Sequence, residues 1–539
     1  MAPGSDPCFL SAAMRRFWPW LCAILSGALL ALCFPPANLG GLCWLALTPL
    51  IAALWFSGPW PKRDPLRLLL LGYITGLFYM LGSLHWLITV TVAGWIALCL
   101  YLGTYTALWA LFVGTVGRPR SSPTDQRPVW MKSSNNLRVA ALAAAAWTAL
   151  EWLRGVVFTG FGWNGLGIAL HGNVALIQIC EITGVGGLSF LVVMVNMIVV
   201  LTLRRLQAEL GREKLRPHYD FNLTIALVAL TFGFGVRQVF RPAPPSEPLS
   251  IAAVQANVPV AEKRDPEHEA RILDLHVRLT DTALAVKPDL LIWPEAATPR
   301  PLFSDQGNWD VVRGLAEKYA GDFLLGTVHF DDSGDYNSAV LLTENARNAQ
   351  IYKKIHLVPF GEYVPLRSSF PLFAWLVGNL VPDDFDFGRD TVVLQMARKP
   401  VKIGPLICFE DTLGDLTRQF ALRGAQILIT MTNDAWFLQS SGSEQHVINA
   451  LFRCAETKLP MVRVANTGIT CVIDRFGRIT NRLQDDQGST FIEGVLIAQV
   501  DVPTDPRRTF YTRYGEVFSL GCLAAGVIAT GLRLVRRKS

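Results

Sequence analysis

The stretch Gly404–Asp411, GPLICFED, sets a cysteine at the end of a short apolar run and puts two carboxylates, Glu410 and Asp411, close behind it. An apolar run closed by reactive side chains reads as a buried strand that stops at a loop, the place where α/β folds gather their chemistry. A cysteine closing such a strand is more often core than nucleophile. A purely structural thiol, however, has no need of acids two and three residues behind it. Cys408 is therefore a candidate nucleophile whose standing depends on what else the chain brings to it.

Around it, residues 247–505 alternate short β-rich runs with helix-like segments. LSIAAVQANV, DLLIWPE, DFLLGTVHF, SAVLLT, PLICFED and QILITMTND read as strands, while PEHEARILDLHVRLTDTALAV and EQHVINALFRCAETKL carry apolar residues at helical spacing. Alternation of this kind predicts a layered α/β domain. Two further strand ends carry chemistry: Glu295 closes DLLIWPE, and Lys354 lies in YKKIHLVPFGEYVP. Taken singly, Glu295 reads as a strand-end cap and Lys354 as half of a solvated pair with Lys353. Together with Cys408 they form a usable reaction set, in which a carboxylate takes the thiol proton, sulfur attacks an acyl carbon and an ammonium steadies the oxyanion. Lys354 lowers a nearby thiol's pKa and Glu410 raises it; the sequence leaves that balance open.

The rest of the chain belongs to a membrane. Of 539 residues 51% are hydrophobic and only 17% charged, against about 25% charged in soluble proteins, and the mean hydropathy is +0.32. Seven apolar stretches, near 17–34, 41–57, 68–88, 92–115, 139–156, 181–203 and 221–237, approach the length needed to cross a bilayer, and another runs over 516–533. The expected plan is a polytopic α-helical membrane bundle of eight spans, with domains 1–240 (seven spans), 247–505 (extracytoplasmic) and 516–539 (the eighth span and a tail). Lys and Arg mark the cytoplasmic loops: Arg15 and Arg16; Lys62, Arg63 and Arg67; Arg118, Arg120, Arg127, Lys132 and Arg138; Arg204, Arg205, Arg212, Lys214 and Arg216; and Arg533, Arg536, Arg537 and Lys538. Both termini are then cytoplasmic and the soluble domain faces outside. The net charge of +6 is largely this anchoring and calls for no nucleic acid. The first span is read as retained, because it lacks a small-residue cleavage site and further spans follow.

Ten cysteines are present, and Cys8 sits in the N-terminal tail. The outer domain holds Cys408, Cys454 and Cys471, an odd set, so at least one thiol there is unpaired. No CxxC or His-rich spacing suggests zinc.

WPEAATP (293–299), KIHLVPFGEYVP (354–365) and ICFED (407–411), in that order, resemble the Glu-Lys-Cys triad of the nitrilase (carbon-nitrogen hydrolase) superfamily. The long form HLVPFGEYVP, together with NDAWF (433–437), EWLRGVVFTGFGW (151–163) and TFYTRYGE (509–516), resembles the apolipoprotein N-acyltransferase family over nearly the whole chain. The resemblance implies an α-β-β-α nitrilase-like sandwich. It also implies Glu295 as general base, Lys354 as oxyanion stabiliser, Cys408 as nucleophile and Glu362 as a second required glutamate. Phe409 and Glu410 match the two positions after the cysteine, where the family usually has Tyr then Glu. Trp436 matches an aromatic of the active-site region, and Trp163 one in a membrane loop. Phe409 lacks the family's hydroxyl, Leu438 stands where Gly often follows NDAWF, and ANVPVAEKRD lacks the usual Gln and Trp.

The implied reaction is a two-step acyl transfer at the bacterial inner membrane. The donor is a membrane phospholipid and the acceptor the α-amine of a diacylglyceryl-cysteine apolipoprotein; a monomer without metal or other cofactor is expected. Lateral diffusion brings both lipids to one plane, and a thioester suits amine attack where water is restricted. In EWLRG, Glu151 and Arg154 share a helix face near a span end, a pair read as structural ahead of functional. Two rival readings fit the sequence less well. A tethered amidase acting on a soluble compound would not need eight spans, and a transporter or receptor with a degenerate domain would not be expected to keep the triad intact.

Overall fold

The computed structural model describes residues 12–57, 64–118, 127–209, 217–263, 265–319, 321–365, 367 and 383–538. Cys8 and the anchoring residues Lys62, Arg63, Arg120, Arg212, Lys214 and Arg216 lie outside the described residues. The chain forms two compact units, one of Met1–Gly172, Val185–Phe232 and Phe518–Ser539, the other of Asn173–Gly184 and Gly233–Val517.

The first unit is helical. Five described helices are long and apolar enough to cross a membrane: Pro65–Ser83, Val92–Thr115, Val185–Glu209, Tyr219–Val239 and, at the C-terminal end, Val517–Arg536. The other three expected spans differ from a plain apolar helix, for local reasons. The 41–57 run is broken, because Pro49 can start a helix but not continue one; a 3₁₀ turn, Gly40–Trp44, precedes a short helix, Thr48–Phe56. Asn196 satisfies the backbone between them, accepting from Leu47 N (2.9 Å) and donating to Cys43 O (2.8 Å), as irregular backbone away from water requires. The 139–156 run belongs to a longer helix, Val129–Arg154, that is alanine-rich and carries Lys132, Arg138, Glu151 and Arg154. In the first run the apolar helix covers Phe17–Leu32. Helices Pro65–Ser83 and Val92–Thr115 approach closely because Gly72 and Gly76 leave room: a Cβ on Gly72 would lie 2.7 Å from Thr106 O, and one on Gly76 2.8 Å from Gly103 O.

The second unit holds two six-stranded sheets. The strands of the first are β1 (Ser246–Gln255), β2 (Leu290–Ile292), β3 (Asp322–Asp331), β4 (Gly334–Thr343) and β5 (Asn348–Lys353). The second sheet contains β6 (Leu394–Gln395), β7 (Lys402–Ile407), β8 (Ile427–Thr432), β9 (Met461–Ala465), β10 (Cys471–Ile473) and β11 (Ile479–Arg482). The last strand, β12 (Gly494–Pro503), returns antiparallel to β1. The sheet orders are β12-β1-β2-β3-β4-β5 and β6-β7-β8-β9-β10-β11. In each sheet three parallel strands are flanked by antiparallel neighbours in the same pattern, β1-β2-β3 in one and β7-β8-β9 in the other.

Helices Glu269–Leu284 and Gln306–Tyr319 cover the first sheet, burying Ala283, Val312, Leu315 and Ala316 with Trp293, Phe323 and Val340. Both helices expected from apolar spacing form, the second as Gly442–Thr457. The segment Asn173–Gly184 is built into this unit: Glu181 pairs with Lys458 (3.3 Å), and Gln178 donates to Phe476 O (3.0 Å). The architecture thus comprises a helical region with several apolar helices and an α/β domain with two six-stranded sheets.

Candidate active site

Glu295 follows β2 in a loop that stays tied to β3. Trp293 N donates to Leu324 O (2.9 Å), Gly326 N to Pro294 O (3.2 Å) and Ala297 N to Gly326 O (2.8 Å). Gly326 is required there, since a Cβ on it would lie 2.5 Å from Pro294 O and 2.7 Å from the Cα of Glu295. Ala296 takes φ of +46°, and the ammonium of Lys263 donates to the carbonyls of Glu295 (3.2 Å) and Ala296 (2.9 Å) beside it.

Lys354 begins where β5 ends, and its side chain is 1% exposed. It lies 2.8 Å from Glu362 Oε2 and 3.5 Å from Glu295 Oε1. One amide nitrogen, Asn337 Nδ2, donates to Glu295 Oε1 and Glu362 Oε1, both at 2.8 Å, and Val358 N donates to Glu362 Oε2 at 2.8 Å. Burial alone would discharge Lys354; Glu362, then Glu295, outweigh it and hold the pKa above the ordinary lysine value. Lys354 is a fixed cation between two carboxylates.

Cys408 follows β7 with φ of +53° and opens a 3₁₀ turn, Cys408–Thr412. A cysteine in the left-handed region costs energy, and such strain gathers at functional sites. Its thiol pKa is pushed well up, by burial first and Glu295 next, with Lys354 opposing. The raising influences prevail, so the resting thiol is neutral and must lose its proton as sulfur attacks.

Glu410 is fully buried and ties the cysteine turn to the lysine loop. It accepts from Tyr352 Oη (2.9 Å), Ile355 N (2.8 Å), His356 N (3.0 Å) and Ile407 N (2.8 Å). Burial raises its pKa to about 7, against the pull of Lys354 and those backbone donors. Phe409 stacks on His356, with ring centroids 5.7 Å apart. His356 is held down to about 4, by burial and then Lys354, so it is neutral at neutral pH.

Trp436 is half-buried in the turn Asp434–Phe437 that follows β8, where Asn433 accepts from Ala435 N (3.4 Å) as a cap. Trp163 belongs to the helical unit. It is 2% exposed, its ring stands 5.3 Å from Trp86 and 6.1 Å from Phe161, and its carbonyl accepts from Arg154 Nη2 (3.0 Å). Glu151 accepts from Leu166 N (2.7 Å), so Glu151 and Arg154 both brace the 161–166 loop.

The structure thus brings Glu295, Lys354 and Glu362 into one hydrogen-bonded set and locks the Cys408 turn to the Lys354 loop through Glu410. Sequence reasoning missed Asn337, Lys263 and Tyr352, which are ordinary residues of ordinary elements. Only the pairing of β4 with β5, Ser338 opposite Lys353, brings Asn337 to the lysine. Cys454 and Cys471 are free, buried thiols.

Comparison with known proteins agrees with this architecture. Residues 26–198 match the family model described as the apolipoprotein N-acyltransferase N-terminal domain, and residues 250–504 match the carbon-nitrogen hydrolase model. The chain is 34% identical to the apolipoprotein N-acyltransferase of Geobacter metallireducens over 96% of both chains. It is 30% identical to that of Sinorhizobium medicae over 92% of this chain and 93% of that one. A solved amidase from Nesterenkonia is 19% identical, covering 49% of this chain and 92% of its own, with a TM-score of 0.35. On the matches along both regions and identity over almost its full length, this chain belongs to the apolipoprotein N-acyltransferase family.

Proposed function

We propose that the chain moves an acyl group from a membrane phospholipid to the N-terminal amine of a diacylglyceryl-cysteine apolipoprotein, in two steps through a thioester on Cys408. The observation that carries the reading is a buried ammonium, Lys354, held between two carboxylates beside a strained strand-end cysteine. In the first step Glu295 takes the thiol proton as Sγ attacks the ester carbonyl, and Lys354 stabilises the oxyanion. The ester C–O bond breaks, and the proton passes from Glu295 to the departing alcohol of the lysophospholipid. In the second step the lipoprotein amine attacks the thioester carbonyl, Glu295 takes the amine proton, and the Cys408 thiolate leaves and is reprotonated.

Glu362 and Asn337 position Lys354 and Glu295, and Glu410 fixes the turn. Phe409 and Trp436 flank the acyl site, and Trp163 serves the lipid from the membrane side. The catalytic domain is taken as 247–505, facing the periplasm, between seven spans and an eighth. The neutral resting thiol supports proton transfer coupled to attack, so Glu295→Gln is expected to lose activity almost as fully as Cys408→Ala.

The test is intact mass of the purified enzyme incubated with phospholipid vesicles alone. An acyl adduct on Cys408 is expected, which diacylglyceryl peptide discharges and which Cys408→Ser does not form as a thioester. No adduct from any phospholipid, with one from small amides instead, would make the enzyme a tethered amidase.

A further inference from the structure

Behind the cysteine turn lies a second buried ionic group that the mechanism above does not use. Asp411, in the Cys408–Thr412 turn, and Asp434, which opens the turn carrying Trp436, are both fully buried. His446, from helix Gly442–Thr457, lies between them, with Nε2 3.0 Å from Asp411 Oδ1 and Nδ1 3.0 Å from Asp434 Oδ1. Arg463 of β9 donates through Nη2 to both oxygens of Asp434 (3.1 and 3.2 Å), and its Nε is 3.4 Å from Asp411 Oδ2. Two carboxylates and one guanidinium leave a net charge of −1, costly where all four groups are buried, and a protonated His446 cancels it.

Arg463 Nη2 also lies 2.7 Å from His446 Nδ1. That contact suits a neutral ring accepting at Nδ1 and opposes an imidazolium, but a neutral Nδ1 would set a lone pair against Asp434 Oδ1. Burial and Arg463 disfavour the imidazolium, but Asp411 and Asp434 together outweigh them, and the ring's pKa is raised to about 9.

We infer that His446 is a positioning residue held as an imidazolium, which clamps the Cys408 turn to the Trp436 turn and keeps the charge behind the nucleophile balanced. The inference rests on the reading of Cys408 as nucleophile. Without that positive charge the uncompensated aspartate opposes thiolate formation at Cys408, a field in which Asp434 already takes part.

The test uses the full-length protein in detergent and measures iodoacetamide alkylation of Cys408 at pH 8, resolved on its own peptide by mass spectrometry. His446→Gln is expected to slow alkylation about tenfold, the effect of one pKa unit on the thiolate fraction. Adding Asp434→Asn restores neutrality and is expected to bring the rate back within about threefold of wild type. Contacts alone predict the opposite, a double variant slower than the single one, and that result, or an unchanged His446→Gln, overturns the proposal. If His446→Gln does not fold, His446→Lys keeps the charge and is expected to alkylate within about threefold of wild type; a tenfold loss there overturns it. A wild type that alkylates normally but forms no thioester from phospholipid would sink the acyl-transfer reading instead and leave this inference standing.

Discussion

Glu410 shows how one side chain can matter more through what it ties than through what it reacts with. Its carboxylate receives a phenol and three backbone N–H groups from both sides of the site. Every partner is a donor, so Glu410→Gln would turn an NH₂ toward donors and strand at least one of them, at about 1–3 kcal/mol per orphaned buried group. His446 offers a cleaner check by pH. Its folded pKa, about 9, lies above the ordinary 6.5. The stability it contributes is therefore fully present below about 6.5 and lost as pH rises through 9. The gap in thermal midpoint between wild type and His446→Gln is expected to shrink steadily from pH 6.5 to 9.5. A constant or widening gap would mean that His446 is neutral in the folded protein.

At the scale of elements, the site depends on how closely β3 carries the Glu295 loop. Gly326 has no side chain because the backbone of Pro294 and Glu295 occupies that space. Gly326→Ala is expected to displace Glu295, cost about 1–3 kcal/mol of stability and slow thioester formation at least as much as it slows Cys408 alkylation. Normal acylation in this variant would contradict the role given to Glu295. What the sequence made legible here were the strand ends, since apolar runs closed by Glu295 and Cys408 are local patterns. The matching order of strands in the two sheets left no trace as a sequence repeat, because a strand pattern constrains polarity and length but not identity. Asn337, His446 and Arg463 were equally silent: each gains its meaning from partners at least 12 residues away, as in the contact of His446 with Asp434. The spans were legible in hydropathy, yet their bounds moved where Pro49 and Gly184 intervened. Gly184, at φ of +63°, ends the short helix Cys180–Thr183 just before Val185–Glu209 begins.

For the whole molecule, the number of crossings decides on which side the chemistry occurs. If only the five long apolar helices cross, four precede the catalytic domain. Arg118 and Arg127 would then lie on the opposite side of the membrane from Arg204 and Arg205, against the tendency of both basic groups to stay cytoplasmic. If the Phe17–Leu32 and Gly40–Phe56 segments and the helix Val129–Arg154 cross as well, seven precede the domain. All the basic loops then share one side and the catalytic domain takes the other. Single cysteines at three exposed positions separate the two plans: Arg127, Pro217 and Gln487. With a membrane-impermeant maleimide on spheroplasts, Gln487→Cys is expected to label at once, and Arg127→Cys and Pro217→Cys only after permeabilisation. Labelling that pairs Arg127 with Gln487 and sets Pro217 apart would restore the five-helix plan. The acyl donor would then have to be sought in the leaflet on the side of the Arg127 loop.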